Sequence, residues 1–119
     1  VWTCRAERPA ANGMWPNCNV TVGQAEPDTR PKEYFETGLA SVPQLRAARR
    51  LSARDTTLAN MRAYEAIYEH DLLPSPLRVL ATVGLLSDRV YAIHCSAPPE
   101  AFAAEEPTFR RITASFRFK

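Results

Sequence analysis

Apolar and polar residues alternate most regularly in the second half of the chain. Over Arg62–His70, Tyr64, Ala66 and Tyr68 fall on one face and Ala63 and Ile67 on the other. That two-residue period belongs to a strand. Over Leu77–Leu86, the residues Leu77, Val79, Ala81, Val83 and Leu85 share one face. His70–Pro76, with Pro74 and Pro76, reads as the turn before it. Ser87-Asp88-Arg89 makes a tight connection, and Val90–Ser96 reads as the next strand. Three consecutive strands joined by short turns predict an antiparallel meander. Pro98-Pro99 ends it.

The first half is less regular. Val1–Arg5 reads as a short strand, and Pro9–Pro16, with Asn12-Gly13, as a loop. Over Cys18–Val22, Val20 and Val22 alternate with Asn19 and Thr21, a second strand. Gln24–Pro31 is a polar linker. A helix is expected from Pro31, because the first helical turn does not need the N–H that proline lacks. Asp28 or Thr29 is its expected cap, and Tyr34 or Phe35 with Leu39 gives it an apolar stripe. Pro43 ends it or breaks it. Leu45–Asp55 fits helix or strand, and a strand over Ala48–Thr56 is the expectation.

The tail, Pro99–Phe118, carries Phe102, Phe109, Ile112 and Phe116 at helical spacing. Pro107 is expected to break it and to start a second helical segment. Glu105 and Glu106 would then lie near a helix N-terminus, where acidic groups are favoured. Strands, helix, meander and helix in this order predict an α+β fold, an antiparallel sheet with helices packed on it as an α/β/α sandwich. The 119 residues suit one domain over 1–119.

The run Arg89-Val-Tyr-Ala-Ile-His-Cys-Ser-Ala-Pro-Pro-Glu-Ala-Phe, continued by Glu106-Pro-Thr-Phe-Arg-Arg-Ile-Thr-Ala-Ser-Phe-Arg-Phe, resembles the C-terminal signature of the PsbP-like superfamily. That group also holds Mog Ran-binding proteins and bacterial lipoprotein and secretion-chaperone domains. Met61-Arg-Ala-Tyr-Glu-Ala-Ile-Tyr looks like the family's strand after a glycine turn, with Asn60 where that glycine often stands. Asn17-Cys-Asn-Val-Thr-Val looks like an earlier strand. The resemblance covers most of the chain after Met14, and its motifs are structural: Tyr91, Phe102, Phe109, Ile112 and Phe116 are core residues first. The family usually opens with an extra strand and a P-x-x-W turn. Here either Val1-Trp-Thr-Cys is its remnant or that segment, the family's first strand, is absent. The resemblance implies a non-enzymatic extrinsic or assembly subunit of a larger complex, such as a photosystem in the thylakoid lumen. A bacterial secretion chaperone or periplasmic lipoprotein domain is the alternative it leaves open.

Composition narrows the classes. Apolar residues at 45% and charged residues at 24% make a globular mix. A net charge of +2 is too small to argue for nucleic acid. No apolar run approaches the ~20 residues of a membrane helix. The chain begins at Val1 rather than methionine, as expected of a processed or trimmed chain. Its three cysteines allow one internal disulfide at most. Cys4 and Cys18 flank the early loop and are the candidate pair; a bridge there would indicate an oxidising compartment. Cys95 is expected as a small buried apolar residue.

Catalytic signals are sparse. There is no G-x-S-x-G elbow, Walker loop or G-x-G-x-x-G run, and four glycines leave little for a phosphate loop. His70, between Glu69 and Asp71, reads as a polar turn tip rather than a metal ligand. His94 and Cys95 are adjacent on a strand and point to opposite faces, so they do not pair as base and nucleophile. Asn19-Val-Thr21 matches a glycosylation sequon but lies on an expected strand. No catalytic residue, metal ligand or cofactor is expected, and no nucleic-acid or small-molecule partner. Arg46, Arg49, Arg50 and Arg54 form a basic cluster, and Trp2 and Trp15 flank the early loop. Together these six are the candidate contacts for a protein partner, placed extracytoplasmically, in a thylakoid lumen or a periplasm.

Overall fold

A computed structural model describes residues 2–5 (as backbone), 16–45, 47–71 and 76–117. Its strands are β1 (Trp2–Arg5), β2 (Asn17–Gln24), β3 (Arg49–Leu58), β4 (Met61–His70), β5 (Leu77–Leu86) and β6 (Arg89–Ala97). Its helices are α1 (Pro31–Ser41) and α2 (Pro99–Ala114), with a 3₁₀ turn at Pro43–Leu45. The strands form one antiparallel sheet in the order β1-β2-β6-β5-β4-β3. The chain therefore crosses from β2 to the far edge at β3 through α1, and the meander β3–β6 walks back to meet β2.

The alternation read from the sequence sorts side chains onto two cores. Tyr64, Ala66, Tyr68, Val79, Ala81 and Val83 pack with Phe35 and Leu39 of α1. Met61, Ala63, Leu80, Ile93, Cys95 and Ala97 pack with Phe102 and Phe109 of α2. The helices thus cover opposite faces, giving the expected sandwich. Covering both faces explains why β5 is buried without interruption from Val79 to Gly84.

Turns follow residue chemistry. Ala59 (φ 48°) and Asn60 (φ 67°) join β3 to β4 in the left-handed conformation of a two-residue hairpin. Asn60, standing where the resembled family often has glycine, tolerates it; Ala59 carries the ~1–2 kcal/mol penalty of a Cβ there. Gly84 lacks a Cβ for a packing reason: one built there would lie 3.0 Å from Met61 Cε and 3.2 Å from Leu58 Cδ2.

Several expectations need correction. Neither Asp28 nor Thr29 caps α1: Arg30 holds the cap position without a side-chain bond. The Thr29 hydroxyl donates instead to the Glu26 carbonyl, and Asp28 has φ 67°. Pro107 does not split the tail, because α2 runs unbroken from Pro99 to Ala114. An interior proline costs a helix about 3 kcal/mol or more. Phe102 and Phe109, on either side of Pro107 and in edge contact at 5.8 Å, anchor both halves to the same core. The helix stops at Ala114, with Ser115 as its cap, short of Phe116.

The Cys4–Cys18 bridge is also corrected. Cys18 is bonded to Cys95, with Cα atoms 4.0 Å apart. Cys18 faces Cys4 on β1 and Cys95 on β6 in one cross-strand row. The short separation marks the non-hydrogen-bonded side of Cys18, where side chains of paired strands come closest. Cys95 is buried as expected, but as half of a disulfide.

Candidate functional site

The α2 face of the sheet carries two polar rows running across the strands. In the first, Arg49 on β3, Glu69 on β4 and Arg78 on β5 stand opposite one another. Arg49 Nη2 donates to Glu69 Oε2 at 2.7 Å, and Arg78 Nε donates to Oε1 at 2.8 Å. Both carboxylate oxygens are therefore engaged, and the Arg78 bond in particular holds Glu69 below the usual carboxylate range. In the second row, Arg54, Glu65 and Thr82 stand opposite one another. Arg54 Nε donates to Glu65 Oε2 at 2.9 Å. The second cation comes from α2, where Arg110 Nη1 donates to Glu65 Oε1 and Nε to Glu106 Oε2, each at 2.9 Å.

A bulge makes this arrangement possible. The register of β3 against β4 shifts between Arg50 and Ser52. Arg49 and Arg54 are an odd number of residues apart, so an unbroken strand would put them on opposite faces. With the bulge both face glutamates, while Arg50, opposite Tyr68, turns to the α1 face and pairs with Glu36. The arginine cluster read from the sequence is thereby divided between two faces. Arg46, Trp15 and the Trp2 side chain lie outside the described residues.

A cleft of about 620 Å³ opens where the second row meets the end of α2. Its charged lining is Arg54, Arg110, Arg117 and Glu65. Arg117 Nη1 donates to the carbonyls of Ala114 and Phe116, each at 2.7 Å, and meets no carboxylate among the described residues. Thr82 is 1% exposed, and its hydroxyl has no hydrogen-bond partner among the described residues. Sequence reading missed this site because its parts come from β3, β4, β5 and α2, and only strand register brings them together.

Two smaller hollows lie elsewhere on the described surface. One of about 560 Å³ is bordered by Arg49, Glu69, His70 and Asp71. Glu69 is already committed to two arginines, and no three His, Cys, Asp or Glu side chains converge among the described residues. The other, about 200 Å³ under α1, is lined by Tyr34, Phe35, Leu39, Tyr68 and His94 among others. Burial there pushes Tyr68 up to about 12 and His94 down. His94 and Cys95 do lie on opposite faces, as strand geometry requires.

No protein-family model matches the chain, and no curated protein matches it. Solved structures do. Protein PA94 of Pseudomonas aeruginosa, of unknown function, superposes with a TM-score of 0.81 at 11% identity, over 98% of this chain and 81% of its own. LpqN, involved in cell envelope biogenesis of Mycobacterium tuberculosis, gives 0.70 at 11% identity, over 94% and 67%. Cyanobacterial PsbP (CyanoP) from Synechocystis sp. PCC 6803 gives 0.67 at 13% identity, over 87% and 68%. The chain thus has the PsbP-like fold, as its C-terminal pattern implies.

Proposed function

We propose that this chain is a non-enzymatic protein-interaction domain, an extrinsic or assembly subunit of a larger extracytoplasmic complex. The observation that carries the reading is the edge strand β3. All seven residues from Arg49 to Asp55 are exposed, and among the described residues no further strand pairs with β3. Such an edge offers backbone donors and acceptors to an added strand. Its bulge presents Leu51, 43% exposed, as an apolar contact.

The disulfide supports an oxidising compartment. The fold shared with CyanoP and LpqN supports a photosynthetic or cell-envelope setting. A secretion chaperone or periplasmic domain of the same fold is the second reading, favoured by the same open edge. The test is a photo-crosslinking residue at Ser52, with a control at Glu33 on α1, in the native host. A discrete protein adduct from position 52 alone is the expected result. Isolation of a free monomer, with no adduct from either position, overturns the reading.

A further inference from the structure

The two cross-strand rows are built alike except at one place. In Arg49–Glu69–Arg78 the third position is a cation that completes the carboxylate's shell. In Arg54–Glu65–Thr82 the third position is a hydroxyl with no partner among the described residues. A buried unpaired hydroxyl is costly, and a valine of the same shape would avoid that cost. Thr82 lines the 620 Å³ cleft, within the ~300–1,000 Å³ range of small-molecule sites.

The charges there are unbalanced in one direction. Three guanidinium groups line the cleft against one carboxylate. Arg54 spends only Nε on Glu65, and Arg117 spends only Nη1, on carbonyls. Their remaining N–H groups are donors without a carboxylate among the described residues. Leu58 and Leu80 supply an apolar wall. The hairpin residue Ala59, held at positive φ, forms part of the rim. Donors at the mouth, a donor on the floor and an apolar wall between them suit one kind of occupant.

We propose that this cleft binds a small organic oxyanion, a molecule carrying one carboxylate or phosphate group, with Arg54 and Arg117 as its charge partners and the Thr82 hydroxyl as its donor at the floor. The site adjoins the β3 edge invoked above for a protein partner and shares Arg54 with it, and it requires no chemistry beyond binding. Glu65 and Arg110 are positioning residues. Glu65 holds Arg54 against the sheet, and Arg110 ties the α2 wall to β4.

The test is an amide chemical-shift titration of the full chain with benzoate, inorganic phosphate and the neutral control benzyl alcohol. Saturable shifts at residues 54, 82 and 113–117 with benzoate or phosphate, but not with benzyl alcohol, are expected. Arg117→Gln is expected to weaken binding roughly tenfold or more, the usual scale of a charge-assisted hydrogen bond. Thr82→Val is expected to weaken it several-fold while melting at or above the wild-type temperature. Arg50→Gln, on the opposite face, should leave affinity unchanged. Shifts that benzyl alcohol reproduces, that Arg117→Gln and Thr82→Val leave intact, or that never saturate overturn the proposal. A Thr82→Val protein that is less stable than wild type also overturns it, since the hydroxyl would then have a structural partner.

Discussion

Arg110 and Glu65 are 45 residues apart in sequence and joined by a 2.9 Å hydrogen bond from Nη1 to Oε1. This bond fastens α2 to β4, the strand next to the β3 edge. Glu65 is 9% exposed, and the Arg110 side chain 39%. Hydrogen bonds to Glu106 and the charge of Glu65 keep Arg110 firmly protonated. Because the pair is partly solvated, Arg110→Ala is expected to cost about 1–2 kcal/mol. Urea unfolding should show a lower midpoint with an unchanged slope, and a smaller difference in high salt.

With Cys18 bonded to Cys95, the chain's three cysteines leave no second one to bridge Cys4. Thiol counting on the unreduced, denatured protein should find one thiol, at Cys4 by peptide mapping. Three thiols would contradict the structure. Replacing Cys95 by serine is expected to destabilise the fold by about 2–5 kcal/mol.

Two glycines predict opposite outcomes. Gly84→Ala places a Cβ against Met61 and Leu58 in the α2-side core and should cost about 1–3 kcal/mol by overpacking. Gly38 lies within α1, where an added Cβ meets nothing within 4 Å. Gly38→Ala should therefore stabilise by about 0.5–1 kcal/mol, through helix propensity and a stiffer unfolded chain. Thermal melts of the two variants should move in opposite directions.

Stability should fall on both sides of neutrality. Burial lowers the pKa of His94 and of His70, where Asp71 partly opposes it. A folded pKa below the unfolded one means the unfolded state takes up protons first. That stability is complete above about pH 6.5 and is lost as pH falls toward the folded values. Glu69, held low chiefly by Arg78, adds a second loss below its ordinary pKa of 4.5. On the alkaline side Tyr68 titrates at about 12 in the folded chain against 10 in the unfolded one, so stability is lost from about pH 10 upward. Urea midpoints across pH should trace this shape, and His94→Gln should flatten the slope just below pH 6.5.

Local signals made the sheet's middle readable. The period-two runs at Arg62–His70 and Leu77–Leu86 match β4 and β5, and their two faces sort onto the two cores as the alternation requires. The expected strand over Ala48–Thr56 became β3, although its residues Arg49–Asp55 are all exposed, so burial left little periodic trace there. Long-range register was not readable. Cys18 meets Cys95 because the last strand, not the next one, pairs with β2. The cleft needed the β3 bulge and the end of α2, and neither leaves a mark in residue spacing. Pro107 carries a local signal for a break, but the packing of Phe102 and Phe109 overrides it.

The Cys18–Cys95 bond joins residues 77 apart in sequence. It closes α1 and β3–β5 into a covalent ring, with β1 on one arm and α2 on the other. If a partner pulls on the two arms, the load passes through the sulfurs and around the ring. The arms can be peeled away, but the ring cannot lengthen while the bond holds. Reduction would leave the ring held by the β2–β6 ladder and the cores alone, so only then would a sufficient load draw out its full contour.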